Sequence, residues 1–298
     1  MPSYVYTACV VASLGACSSW IDHQAATSTF RVLHASVEVA RRQSDVELAR
    51  AALPGGLVQL QAFAAAYPDE RGFRVLYADA ACSYALGFVA DDWEDAKLGG
   101  RAPEAEQLAH RLSGLLASCV EANLALLPPA WRTAREQGGA AQLAAVAAVH
   151  ADEVPAVRAI ASADALRLGL DPLHHLAELA GITAALTASA RLAPGADDAR
   201  AELMLGTLAA ARSQLLGGDD GAAQFARARA LAGESALIVD VMFARGTAVA
   251  HKDRALFEAT LGKVLAADVT RWPERRLGNE LALRKARRYL AAEAVLLP

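Results

Sequence analysis

The punctuation of this chain limits its fold more than any other feature. Clusters rich in Gly, Pro or Asp stand at 53–56 (LPGG), 67–72 (YPDERG), 98–103 (LGGRAP), 126–130 (LLPPA), 136–140 (EQGGA), 169–172 (GLDP), 193–198 (APGADD) and 216–221 (LGGDDG). Asp ahead of an apolar run supplies an N-cap oxygen, and Pro after one cannot continue the hydrogen-bond ladder. Each cluster therefore reads as the end of one helix and the start of the next. Between them lie segments of helical length in which Ala and Leu dominate: hydrophobic residues make up 54% of the chain, aromatic ones 6%. Strong helix formers with few β-branched competitors predict an all-α fold of packed helical hairpins.

Helical hairpins in tandem build solenoids, so repetition is the next question. One unit is legible in ARAELMLGTLAAARSQLLGGDDGAAQFARARALAG. Leu205 and Gly206 stand where a tetratricopeptide first helix carries its leucine-glycine pair, and Gly221, Phe225 and Ala228 stand at the positions that pack the second helix back onto the first. The spacing between the two groups is longer than usual, which describes a degenerate repeat; a generic antiparallel hairpin is the other reading. An earlier unit has a helix ending at Ala-Tyr-Pro-Asp, then a long helix carrying Tyr77, Tyr84 and Phe88. Residues 84 and 88 share a face, which suits either an apolar ligand channel or core packing. A last hairpin runs from KDRALFEATLGKVLAADV to ERRLGNELALRKARRYLAAEA, whose basic cluster reads as a solvated face. The acidic run DDWEDAK at 91–97 reads as an exposed helix end, because the order of an EF-hand loop and its Gly are missing.

From Tyr4 to Ala16 the residues are almost all apolar or small, and no charged side chain precedes Asp22. That run is too short to span a bilayer and has the length of a signal-peptide core. Leu14, Gly15, Ala16 and Cys17 follow, resembling the bacterial lipobox, in which the cysteine is acylated and becomes the mature N-terminus. The expected organisation is a lipoprotein signal peptide at 1–16, a tether and first helix at 17–44, and a helical repeat domain at 45–298. A buried N-terminal helix with an incidental Cys is the rival reading. Ser18 after the cysteine favours the outer membrane, with the chain held on its inner leaflet in the periplasm.

Charge and motif content narrow the function. With 29 basic and 33 acidic residues mixed along the chain and a net charge of −4, no positive field gathers nucleic acid. No later apolar stretch is long enough to cross a membrane, so attachment rests on the lipid alone. Cys82 and Cys119 lie in apolar helical stretches; an exported chain can bridge them, and a reduced pair packs as small hydrophobes, so spacing leaves both open. The histidines are scattered, and adjacent His174 and His175 suit a helix start after Asp171-Pro172 better than a shared metal. HExxH, GxSxG and phosphate-loop patterns are absent. The expectation is a protein that is not an enzyme and has no catalytic residue, metal or cofactor.

Several segments in order resemble one family, the T component of TRAP (tripartite ATP-independent periplasmic) transporters. SDVELARAALPGGLVQLQAF is similar to its acidic entry to an Ala-Leu-Pro turn and Leu-rich helix, and YADAACSYALGFV to its Tyr-Ala helix. RLAPGADDARAELMLGTLAAARSQLLGGDDGAAQFARARALAGESAL corresponds to its central repeat, and RLGNELALRKARRYL to its terminal hairpin, with Arg276, Leu277 and Asn279 at the Arg-Leu-x-Asn positions. Two aromatic features of the family are missing here: DEVPAVRAIASADAL keeps the Val154-Pro155 turn without its aromatics, and QLAHRLSGLLASC replaces a Leu-Tyr-x-Arg helix. The resemblance implies a lipid-anchored periplasmic helical protein with an internal pore or cleft. It also implies a homotrimer that docks the transporter's solute-binding protein and binds or passes a small hydrophobic solute. Tyr84, Phe88, Arg276 and Asn279 are the candidate pore-lining residues. An envelope-assembly scaffold lipoprotein with no transport link is the alternative.

Overall fold

The computed structural model describes residues 26–192 and 199–298; the signal peptide expected at 1–16 and the lipidation expected at Cys17 fall outside them. No β-strand occurs among the described residues. Helix α1 spans 26–41. Asp45 then caps α2 (Val46–Ala66), its carboxylate accepting the N–H groups of Glu47 and Leu48 at 3.0 and 2.9 Å. The turn expected at LPGG does not form, and α2 runs straight through Pro54. An internal proline removes one backbone bond and costs about 3 kcal/mol. Continuity keeps Leu53, Leu57 and Leu60 on one face, where the first two meet the central core and the third joins the aromatic cluster of the N-terminal hairpin. Full burial of a leucine contributes roughly 1.5–3 kcal/mol, so buried Leu60 together with half-buried Leu53 and Leu57 offsets the break.

Helix α3 (Arg71–Tyr84) passes through a π-helical turn, Ala85–Val89, into α4 (Ala90–Leu98), forming one long rod. Its start is pinned by rings: Phe73 packs on Phe30, Phe63 and Tyr67 with centroid separations of 5.8, 5.5 and 5.4 Å. Helix α5 (Ala102–Leu124) lies against the rod. A Cys82–Cys119 disulfide joins α3 to α5, the outcome that spacing had left open. Asn123 donates to the Cys119 carbonyl at 2.9 Å and sits 3.2 Å from the Cys82 sulfur.

Two short helices, α6 (Pro129–Gln137) and α7 (Gly139–Ala147), meet at Gly138, whose φ of 64° suits a residue without Cβ. They lead into α8 (Val154–Leu170), the most enclosed helix of the central core: Val154, Val157, Ala161 and Ala163 are all buried. Its Asp164 is buried too and receives both terminal nitrogens of Arg135, at 2.6 and 2.8 Å. Asp171 caps the short α9 (Pro172–His175) by accepting the His174 N–H, as the GLDP signal implies. Helix α10 (Leu179–Leu192) packs on α8.

The repeat-like unit is an antiparallel hairpin of α11 (Ala199–Leu216) and α12 (Ala222–Ala232). Its glycines act as the sequence implies. A Cβ on Gly206 would lie 3.2 Å from the Phe225 ring, and one on Gly221, where φ is 78°, would lie 2.2 Å from the Gly206 carbonyl oxygen. Arg227 forks onto both oxygens of Glu202 across the hairpin at 2.8 and 3.0 Å. Helix α13 (Ile238–Phe243) continues through a second π turn, Ala244–Ala248. Then α14 (Arg254–Leu265), capped by Asp253, pairs with α15 (Arg276–Ala291), and α16 (Glu293–Leu296) ends the fold.

Helix α15 overturns two expectations at once. Its basic cluster is not a solvated face, and DDWEDAK is not an exposed end: α15 packs back across the start of the chain, and the two sets of charges meet. Asp91 is 2% exposed and the Arg288 side chain 8%. Arg288 pairs with the Asp91 carboxylate and donates to its carbonyl at 2.6 Å, while Lys285 pairs with Glu94. The Tyr289 hydroxyl donates to Glu94 at 2.7 Å. Asp91 and Arg288 are 197 residues apart in the chain; their opposite charges attract, and at the interface each neutralises what would otherwise be a prohibitive burial.

Candidate ligand cavity

The return of α15 walls one side of a half-open cavity of about 740 Å³ between the N-terminal hairpin and the C-terminal helices, within the size range of small-molecule sites. One wall is α1, α2 and the second half of α3 with its π turn. The other is the start of α15, with Ala236, Ile238 and the first turn of α11. Half of the lining residues are aliphatic, and Tyr84 and Phe88 add apolar surface. Gly87, in the π turn, leaves room there: a Cβ would lie 3.9 Å from the Leu281 side chain, which faces it from α15. A π turn is where a helix widens, often at a functional site.

Tyr84 and Phe88 both line the cavity and are both largely buried, at 7% and 3% exposure, their rings stacked 6.1 Å apart. Cations hold them in place. Arg111 donates to the Tyr84 hydroxyl at 2.8 Å, and the Arg50 guanidinium lies 5.4 Å from the centre of the Phe88 ring while pairing with Asp92. The polar end of the tyrosine is thus satisfied within the protein, leaving the rest of each ring as apolar wall.

Asn279 also lines the cavity, but its amide is committed to the backbone. Its oxygen accepts from the Leu237 N–H at 3.3 Å, and its nitrogen donates to the Ser235 carbonyl at 3.0 Å, fixing the turn that carries Ala236 and Ile238. Arg276 turns aside to Glu280, at 2.8 Å. The residue before it, Arg275, lines the cavity instead. Sequence reasoning also missed Arg41, Asp79 and Arg200. Arg41 and Asp79 form an ion pair of 3.0 Å that ties the end of α1 to α3 beside the cavity. No local signal announces these three, because only the packing of α1 and α11 brings them to the site.

The buried charges behind the cavity titrate unusually. Burial by itself would push the Glu94 carboxyl up, but Lys285, the Tyr289 hydroxyl and Arg288 hold it below the ordinary value of 4.5. Burial pulls the Lys285 ammonium down, and Tyr289, Glu94 and Asp91 more than reverse that, so it stays charged well above 10.5. Burial, with the Glu94 charge, pushes the Tyr289 phenol up. Among the described residues, no group of His, Cys, Asp and Glu side chains comes together as a metal site, and no helix is long and apolar enough to cross a membrane.

The fold is thus an all-α stack of helical hairpins in which α15 returns to the N-terminal helices beside a largely apolar cavity. The chain belongs to the TRAP transporter T-component family, whose model matches residues 42–296. No curated protein matches it in sequence. Family membership makes the chain an accessory component of a TRAP transport system, associated with that system in the cell envelope. The family is one of transporter accessory proteins and is not known as an enzyme family.

Proposed function

We propose that this protein is a lipid-anchored periplasmic accessory subunit that binds a small apolar solute in the cavity and docks the solute-binding protein of its TRAP system. The observation that carries the reading is the cavity itself: about 740 Å³, with a largely apolar surface made by aliphatic side chains and by Tyr84 and Phe88. Such a space favours apolar matter, since each CH₂ removed from water contributes about 0.8 kcal/mol. The Cys82–Cys119 disulfide supports export, because structural disulfides persist in oxidising compartments. Lipidation at Cys17, anchorage to the inner leaflet of the outer membrane and assembly as a homotrimer belong to the same proposal. A scaffold unrelated to transport has no need of such a cavity.

The test uses N-phenyl-1-naphthylamine, a neutral dye that fluoresces in apolar surroundings. The purified mature chain should take it up, and Leu281→Trp, which puts a bulkier side chain beside Gly87, should abolish uptake with helicity unchanged. Uptake undiminished in that variant would refute the cavity reading. Capture of the solute-binding protein encoded with the transporter by the immobilised chain tests the docking claim, and its absence under conditions that retain dye binding would refute that claim alone.

A further inference from the structure

One end of the cavity is set by charge. On the α3–α4 rod the residues facing the cavity recur one turn apart, Ser83 with Tyr84 and then Gly87 with Phe88. The next pair at that spacing, Asp91 and Asp92, belongs to ion pairs instead, Asp91 with Arg288 and Asp92 with Arg50. On α15 the lining ends at Leu281, and one turn further Arg284 reaches Glu47 of α2 at 2.9 Å while Lys285 pairs with Glu94. The apolar wall therefore stops against a layer of paired charges shared by α2, the rod and α15. Gly87 and Leu281 stand on the last turn before that layer, on opposite walls. A Cβ on Gly87 would lie 3.9 Å from a Leu281 methyl, so the space between the walls there is one methyl deep. From this end the cavity follows α2 from Leu48 to Leu60, about 18 Å at 1.5 Å per residue.

Resting on the reading of the cavity as a site for an apolar solute, we propose that the solute carries a single unbranched alkyl chain and that Leu281, facing Gly87, is the stop that fixes the longest chain accepted. A long slot with a largely apolar surface matches an extended chain, each CH₂ of which leaves water on entry. Growth of the chain is favourable until its end meets Leu281. Beyond that side chain a further carbon has to enter the charge layer and part groups such as Lys285 and Glu94, and a buried charge without its partner is strongly disfavoured. A chain that stops short leaves empty space against Leu281 and forgoes the contacts that would have filled it. Affinity therefore rises with chain length and then breaks off, and the facing pair Gly87 and Leu281 sets where.

The experiment is displacement of N-phenyl-1-naphthylamine from the mature chain by 1-alkanols from hexanol to hexadecanol, each below its solubility limit, repeated with Leu281→Ala and Gly87→Leu. In the wild-type chain each added carbon should lower the displacing concentration about fourfold up to one length, and no further beyond it. Leu281→Ala, which shortens the side chain at the stop, should move that length up by about two carbons. Gly87→Leu, which brings a side chain toward Leu281, should move it down. A loss of stability alone would weaken every alcohol together and leave the break in place, so the shift separates a stop from a packing role. An affinity that climbs without a break in the wild-type chain, a break at the same length in all three chains, or variants that move it in one direction would overturn the proposal while the cavity reading stands. Failure of the dye to bind the wild-type chain would overturn both.

Discussion

Arg288 and Asp91 are 197 residues apart in the chain, and their side chains are paired in an interface that hides nearly all of both. The same guanidinium also donates to the Asp91 backbone carbonyl at 2.6 Å, so one side chain of α15 holds both the charge and the main chain of α4. Lys285 and Glu94 extend the contact, and Arg284 reaches Glu47 on α2 at 2.9 Å. This interface closes the helical stack and brings α15 to the cavity.

Removing one member should therefore cost more than a surface ion pair does. Asp91→Ala leaves Arg288 and Lys285 buried with a missing counter-charge, and a loss of about 3–5 kcal/mol is expected. Urea unfolding of the variant would show it as a lower midpoint. The paired change Asp91→Leu/Arg288→Leu should recover much of that loss; a double variant worse than the single one would mean that the ion pair itself, not the burial of an orphan charge, dominates.

The pH dependence follows from the signs. The Glu94 carboxyl sits below its ordinary 4.5 in the folded chain, so its stabilising effect is complete above 4.5 and is lost as pH falls through the depressed value. The Lys285 ammonium is raised above 10.5, so its contribution is complete below 10.5 and is lost as pH rises through the folded value. Thermal midpoints should stay level between these limits with respect to this network and decline outside them. Glu94→Gln should flatten the acid limb.

Opening the disulfide removes a cross-link that closes 37 residues of sequence separation. On the chain-entropy account, Cys82→Ser/Cys119→Ser should destabilise by about 4 kcal/mol. Denaturant midpoints of the wild-type chain with and without reductant check the same quantity, and reductant should not move the midpoint of the double serine variant.

Glycine substitutions should split by location. Gly221→Ala places a methyl 2.2 Å from the Gly206 carbonyl oxygen at a φ of 78°, so the α11–α12 hairpin must open, at a cost of about 2 kcal/mol or more. Gly114→Ala, inside α5 with open space around it, should stabilise by about 1 kcal/mol through helix propensity. Equal effects at the two positions would show that backbone entropy, and not the close approach of Gly221 to Gly206, sets the outcome.

By itself the sequence determined what depends on near neighbours. Helices run between most of the Gly, Pro and Asp clusters because capping, left-handed turns and propensity act over a few residues. The Gly206–Phe225 approach was legible for the same reason, since both residues belong to one hairpin. LPGG misled because a breaker reports only its local cost, while the gain from keeping Leu53, Leu57 and Leu60 on one face comes from partners elsewhere. Tertiary structure alone decided that DDWEDAK and the basic cluster of α15 are buried against each other, that Cys82 meets Cys119, and that Arg275 and not Arg276 faces the cavity. Each of these depends on which surfaces of distant helices come together, and charge, thiol or ring alone carries no record of its eventual neighbour.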